Sequence, residues 1–418
     1  MSIRLDQTAH ADELPISGAV EDVLNADLCL GCGACAVAFD KTPVRIQLAA
    51  DGFLRPVSER SLTAEESAEF SQFCPGVRLA HPHRDASFHA LWGPLRQIAT
   101  GYAADEEVRF KGASGGGLSA LMIHLLETGS VQGVVHVAPS PDHPFENVVQ
   151  ISTTREAVLA AAGSRYAPAS PLAALNDCLA RPGVFAFVGK PCDVAALRAL
   201  QRLRPQIRKK FPYVLSFMCA GTPSFKGTDA VVERMGFRPQ EVVRFRYRGD
   251  GWPGMARAET ADGRVAEMGY DASWGQVLNR HLQFRCKICP DGTGEFADVT
   301  CADAWYGDEH GYPSFEEAAG RSLVLARTEQ GERLIGAASA AGALIVEPLA
   351  VEEIARMQPY QRTRKGALLA RLFGLKMALR KTPRYRALGL WAAARQLSPK
   401  VHLKNALGTW MRVVGVRR

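Results

Sequence analysis

The chain has 418 residues, 47% of them apolar and 22% charged, which gives ample material for buried cores and excludes a chain that is disordered overall. No run of eighteen or more uncharged apolar residues occurs, so no membrane-spanning helix is read from it. The net charge of +7 is unevenly placed: from Ala355 to Arg418 there are sixteen Lys or Arg and no Asp or Glu, and the remainder is net acidic.

The first fourteen residues are polar and contain acids. They lack the basic start and apolar run of a signal peptide, so the expected location is the cytoplasm. In that reducing setting ten cysteines are read as metal ligands or redox centres and not as structural disulfides.

Residues 1–92 read as a small, loop-rich module with one short strand near residues 44–48. A metal cluster can replace a hydrophobic core in a module of this size. Residues 93–350 alternate glycine-rich turns with apolar runs. Helices are expected at 118–126, 156–162 and 194–203, and strands at 131–137, 184–188, 213–218 and 242–248. Strands alternating with helices predict an α/β core on a largely parallel sheet. Residues 351–418 read as a helical, basic C-terminal tail broken at Pro383 and Pro399.

Cys29, Cys32 and Cys35 form a C-x2-C-x2-C run, with glycines at Gly31 and Gly33 and a later Cys74-Pro75. Three thiolates at this spacing wrap one face of a cubane cluster. Bacterial ferredoxins carry a Cys-Pro only three residues further on, where it serves the other cluster, so the long gap to Cys74 departs from that pattern and leaves Cys74 the candidate fourth ligand. The module is therefore read as ferredoxin-like, with a 4Fe–4S cluster on Cys29, Cys32, Cys35 and Cys74. Zinc is the competing reading, though zinc usually takes paired C-x2-C knuckles.

A second cysteine group is dispersed. Cys286 and Cys289 are a C-x2-C pair, whereas Cys192 and Cys219 each follow an expected parallel strand. The C-terminal ends of such strands are where open α/β sheets bind ligands. A second 4Fe–4S cluster on Cys192, Cys219, Cys286 and Cys289 is the expectation. Cys301 is an alternative ligand, and Cys178 reads as a buried small hydrophobe.

Lys111 to Ser119, with Ser114, Gly115, Gly116 and Gly117, precedes a helix. Close backbone approach and free N–H groups at a helix start suit a phosphate, and Lys111 adds charge. The spacing is neither a P-loop nor a dinucleotide-binding fingerprint, so an ordinary tight turn is the competing reading. Arg165 and Tyr166 are a cation and a ring on an expected loop, suited to a phosphate and a planar group.

Together these stretches resemble the coenzyme F420 hydrogenase/dehydrogenase beta-subunit family, which includes 7-hydroxymethyl chlorophyll a reductase and a ferredoxin-dependent divinyl chlorophyllide 8-vinyl reductase. The stretches carrying the resemblance are Cys29 to Cys35, Lys111 to Ser119, Ala162 to Tyr166, Val188 to Arg198, Cys219 to Ser224, and Cys286 to Asp291 running on to Ala297-Asp298 and Ala302-Asp303-Ala304-Trp305. The resemblance implies FAD with one or two 4Fe–4S clusters, and hence an α/β flavin-binding core. It implies flavin contacts at Ser114, Gly115, Gly116 and Arg165, and it places Lys190 and Asp193 near the cofactors.

The expected function is an oxidoreductase that passes electrons from a ferredoxin-like donor through 4Fe–4S clusters to FAD and on to an organic acceptor. One alternative is a beta subunit serving a partner hydrogenase or dehydrogenase with coenzyme F420. Another is a non-catalytic accessory protein of surface-polysaccharide assembly. His124, Asp193 and Tyr166 are unranked proton-donor candidates. The basic tail reads as a partner surface or as a peripheral contact with the inner membrane face. No nucleic-acid motif is present.

Overall fold

The protein is described by a computed structural model covering residues 2–3, 18–39, 42–82, 85–307 and 314–415. The polar start of the chain thus lies almost wholly outside the described residues. A nine-stranded sheet comprises β1 (Ser2–Ile3), β2 (Gln97–Ala103), β3 (Gly133–Pro139), β4 (Asn147–Ser152), β5 (Phe185–Gly189), β6 (Tyr213–Phe217), β7 (Val299–Asp303), β8 (Ser322–Ala326) and β9 (Leu344–Pro348). Its order is β1-β4-β3-β5-β6-β7-β8-β2-β9.

Strands β3, β5, β6 and β7 pair in parallel. Strands on both flanks join antiparallel. The chain is therefore mixed α/β, but the sheet is less parallel than the strand–helix alternation implies. The cause is in the connections: β3 passes to β4 through a short loop, and such a link returns the chain antiparallel.

Period-two alternation divides the two faces of the sheet. In β5, Phe185 and Phe187 enter one core with Val214 of β6, while Ala186 and Val188 enter the other with Leu215. The first core is shared with the N-terminal module. Val20, Ile46, Leu54, Phe70 and Phe73 belong to the same cluster as Phe187 and Leu197, so residues 18–92 are fused to the sheet through common apolar packing. Within that module helix α1 (Ala64–Phe73) begins at a Thr63–Glu66 capping box and ends at Cys74. Helix α2 (Gly117–Glu127) packs in the second core, and helix α3 (Pro191–Leu203), with Pro191 in its first turn, packs in the first.

The basic segment after residue 351 is packed, not free. Helices α4 (Pro359–Gly366), α5 (Leu368–Met377) and α6 (Pro399–Val413) return to the body, where Gln361, Arg364 and Lys365 are buried. Arg384–Arg386 pairs in parallel with Arg78–Ala80. The tail expected from its charge is thus partly an internal element whose cations bond to the body's carbonyls and carboxylates. Among the described residues no helix is long and apolar enough to cross a membrane.

One buried ion pair anchors this return. Lys365 bonds to Glu295, whose other oxygen meets His81 Nε2 at 3.0 Å, and His81 stacks on Phe296 with centroids 4.2 Å apart. Burial raises the Glu295 carboxyl, but Lys365 and His81 outweigh it and hold the group below the usual range. Its contribution to stability is therefore complete above the unfolded glutamate value and falls as pH drops through the lower folded value. Glu295→Ala leaves Lys365 buried without its partner, and urea unfolding at pH 7 should show a loss of about 3–5 kcal/mol. Glu295→Gln should flatten the acid limb of the stability profile.

Candidate functional site

The first cysteine set is gathered as its spacing implies. Cys29, Cys32, Cys35 and Cys74 line one void with Gly31, Gly33, Pro75 and Gly76. Two glycines shape the loop. Gly31 has φ +65° and Gly33 φ +86°, and a Cβ would lie 2.6 Å from Leu54 O and 2.8 Å from Ala173 N respectively. The turned backbone aims the Gly31 N–H at Cys29 Sγ, 3.4 Å away. Burial pushes the Cys74 thiol up to about 12, with Cys29 adding like-charge repulsion.

The second set is assembled from three parts of the chain. Cys192 opens α3, Cys219 follows β6, and Cys286 lies in the short helix Phe284–Lys287 with Cys289 just beyond it. Burial raises Cys219 to about 12, and Cys286 and Cys289 repel it further. Cys192 is pushed well above the usual range by burial and Asp193, with Cys219 and Cys289 adding to the effect. The Thr222 N–H donates to Cys286 Sγ at 3.4 Å. Arg364 of α4 donates to Cys219 O at 2.7 Å and Cys286 O at 2.6 Å, so the returning C-terminal helix covers this set. Among the described residues, no three His, Cys, Asp or Glu groups are arranged to hold a single metal ion.

The two sets adjoin. Arg285, 1% exposed, donates to Pro75 O at 2.9 Å beside Cys74 and acts electrostatically on Cys192, Cys286 and Cys289. Asp193, fully buried, acts on both Cys32 and Cys192. Arg55 bridges Cys29 O and Gln283 Oε1, each at 3.2 Å.

Cys219 also lines a cleft of about 780 Å³ at the C-terminal ends of the central strands. Ser114, Gly116, Arg165, Tyr166, Lys190 and Asp193 all line it. Gly116, at φ +71°, caps α2, and Ser114 Oγ donates to Ala302 O at 2.7 Å. Arg165 donates to Asn147 Oδ1 at 2.7 Å, and Tyr166 leans on Trp274 with centroids 4.7 Å apart. Lys190 Nζ meets Asp193 at 2.9 Å. Burial disfavours the Lys190 ammonium, but Asp193 and the nearby thiols outweigh it and keep the group charged. The second Asp193 oxygen has no hydrogen-bond partner among the described residues.

Other expected residues lie elsewhere. Lys111 pairs with Asp250 at 3.3 Å and faces a separate polar hollow. Gly115, at φ +67°, backs onto Gly320 and Arg321 and supplies the turn, not a cleft wall. His124 is buried in α2 among core residues and is outside the cleft lining. Cys301 lines the cleft, and its thiol is raised to about 12 by burial alone, with no effect from other thiols. Cys178 is buried apart from both sets.

Sequence pattern assigns no role to the far wall. Arg248, 2% exposed, binds Asp303 through two bonds of 2.9 and 2.6 Å, and Trp252 Nε1 donates to Asp303 at 2.7 Å. The Arg248 guanidinium lies 4.8 Å from the Tyr270 centroid and 5.0 Å from that of Trp305. Asp303 and Trp305 fall in a recognisable stretch, whereas Arg248 reads as one of several basic residues on an alternating strand.

Two family models match the chain. The coenzyme F420 hydrogenase/dehydrogenase beta subunit N-terminal model covers residues 98–176 and the C-terminal model covers residues 184–352, together more than half of the chain. A coenzyme F420 hydrogenase subunit beta from Methanococcus voltae is 28% identical over 260 residues, covering 60% of this chain and 84% of the relative. An F420-dependent formate dehydrogenase 1 subunit beta from Methanococcus maripaludis is 24% identical over 242 residues, covering 56% of this chain and 57% of the relative. A chain of the F420-reducing [NiFe] hydrogenase complex from Methanosarcina barkeri shares the fold with a TM-score of 0.54 and 22% identity, covering 72% of this chain and 98% of that one.

The two cysteine sets should load separately. After anaerobic reconstitution, Cys32→Ser and Cys286→Ser should each lose about half of the bound iron, the share of one four-iron cluster of two. Cys301→Ala and Cys178→Ala should lose none, as read by elemental analysis.

Proposed function

The chain belongs to the coenzyme F420 hydrogenase/dehydrogenase beta-subunit family, whose members are oxidoreductases, and from that premise we propose that it transfers electrons between a protein redox partner and a small organic molecule. The proposed cofactors are two 4Fe–4S clusters and one FAD. Cys29, Cys32, Cys35 and Cys74 would hold one cluster, and Cys192, Cys219, Cys286 and Cys289 the other. The donor sets suit polynuclear iron, because buried and mutually repelling thiols need positive charge among them. When bound, the clusters supply single-electron steps and the flavin exchanges two electrons with the acceptor.

The observation that carries this reading is the placement of Cys219, which belongs to the second thiol set and also walls the cleft. The chain's own residues would do the positioning. Ser114, Gly116 and the start of α2 offer a turn and, beyond the Gly117 N–H that donates to Ser322 Oγ, helix-terminal N–H groups for a phosphate. Tyr166 and Trp274 offer ring faces, Arg165 a half-buried cation. The Lys190 ammonium, held by Asp193, stabilises negative charge where the cleft meets the thiol set. Arg248, fixed by Asp303 and flanked by Tyr270 and Trp305, suits a planar, electron-rich acceptor.

Reduced ferredoxin or a partner subunit is the proposed protein donor. Coenzyme F420 as the small molecule is a second reading, favoured by the names of the hydrogenase and dehydrogenase relatives.

Protein purified without oxygen should carry about eight irons and one FAD per chain, two four-iron clusters and one flavin. Reduced ferredoxin should then bleach the flavin band, and added F420 should be reduced in turn if it is the acceptor. Zinc in place of iron, or no flavin after reconstitution, would overturn the reading and leave a non-catalytic accessory protein.

A further inference from the structure

The C-terminal helices do more than cover the second cysteine set. Arg371 of α5 and Asn405 and Arg412 of α6, with Lys287 beside Cys286, line the same cleft as Lys190 and Arg165. Arg371 is aimed by two bonds, from Nε to Asn405 Oδ1 at 2.9 Å and from a terminal nitrogen to Lys287 O at 2.9 Å. Neither bond neutralises it. Among the described residues no carboxylate pairs with Arg371, Arg412 or Lys287. Residues 355–418 contain no acid that could do so. Burial and the neighbouring Arg364 and Arg412 charges push the Arg371 guanidinium below its ordinary range.

Three converging cations with no paired carboxylate among the described residues are a cost to the folded chain that a multiply charged anion would relieve. Two of them lie beyond residue 352, where the family match ends. We propose that Arg371, Arg412 and Lys287 form an anion subsite at the mouth of the cleft, which takes a phosphate- or carboxylate-bearing group of a bound small molecule. Arg371 and Lys287 are only partly exposed in the cavity wall while Arg412 stands exposed at its rim, which favours a slender charged group reaching inward over the face of a folded acidic protein. The cleft as a ligand site is taken from the function proposed above. The group would come either from the cofactor or from the acceptor, and the chemistry recognised is the same.

The test uses the full chain, with inorganic pyrophosphate as the probe. Calorimetric titration at low salt should show binding that weakens as salt is raised. Arg371→Met with Arg412→Met should weaken it by roughly tenfold or more, the loss expected for charge-assisted bonds, and Arg412→Lys should retain it. Should the double variant melt early, Arg412→Gln alone serves, because that side chain is exposed on α6 and among the described residues has no hydrogen-bond or ion-pair partner to lose.

A second arm measures FAD retention by equilibrium dialysis. Loss of FAD in the variant, with pyrophosphate excluded from the FAD-loaded wild type, assigns the subsite to the cofactor. Unchanged FAD retention, with pyrophosphate binding the loaded wild type but not the variant, assigns it to the acceptor. Equal pyrophosphate affinity in wild type and variant with equal FAD retention would overturn the proposal. Pyrophosphate binding that depends on Arg371 and Arg412 in a chain that takes no flavin would keep the subsite and sink the flavin reading instead.

Discussion

Gathering two cysteine sets in the interior is the constraint on which the rest of the structure depends. The Cys32, Cys74, Cys192 and Cys219 thiols are pushed away from their reactive, charged form by burial, and neighbouring thiols within each set add repulsion. Low dielectric makes an uncompensated cluster of negative charge very costly. The fold answers with fixed positive groups. Arg285 lies between the sets, Arg364 bonds to carbonyls at Cys219 and Cys286, and Lys190 stands at the cleft side of Cys192. Backbone N–H groups at Gly31 and Thr222 point at sulfur.

These demands explain why the chain forms one body. Arg364 reaches back across the sequence to residues near Cys219, and Arg285 reaches Pro75. Arg55 and Gln283 bond across the seam between the N-terminal module and the core. The apolar cluster spanning Phe73, Leu197 and Phe187 then locks the module to the sheet. Loose tethering would let the two sets drift apart. A shared core with buried polar ties fixes their separation, which is what the proposed electron transfer would need.

Legibility in the sequence followed the range of the interactions. The Cys29–Cys35 run and Cys74 were readable because thiol spacing and a following proline are local signals, and α3 and β5 because proline, apolar runs and helical periodicity are local too. The resemblance then pointed to Arg165, Lys190 and Asp193, which the fold does bring to one cleft. Lys111 was drawn toward that site by its proximity in sequence to the glycine turn, yet Asp250, over a hundred residues away, captures it. The antiparallel flanks were hidden because β2, β8 and β9 are paired by topology and not by any periodic signal. Arg248 was hidden in the same way: its burial, its pairing with Asp303 and its ring neighbours distinguish it from exposed Arg244 and half-buried Arg246 just before it.

The C-terminal segment carries charge that is only partly surface. Sixteen basic residues without an acid suggest a solvated or membrane-facing tail, and several side chains there, such as Leu379 and Trp391, are indeed exposed. The fold nevertheless spends some of the cations inside. Lys365 serves Glu295 and Arg364 serves the carbonyls of the second cysteine set, while half-buried Arg371 and exposed Arg412 face the cleft. An acid on α5 or α6 would be the simplest partner for those last two, and pairing them would neutralise the mouth. The absence of acids from residues 355–418 is therefore consistent with a positive potential kept at the entrance to the cleft, while burial of Gln361, Arg364 and Lys365 keeps the helices that carry it in place.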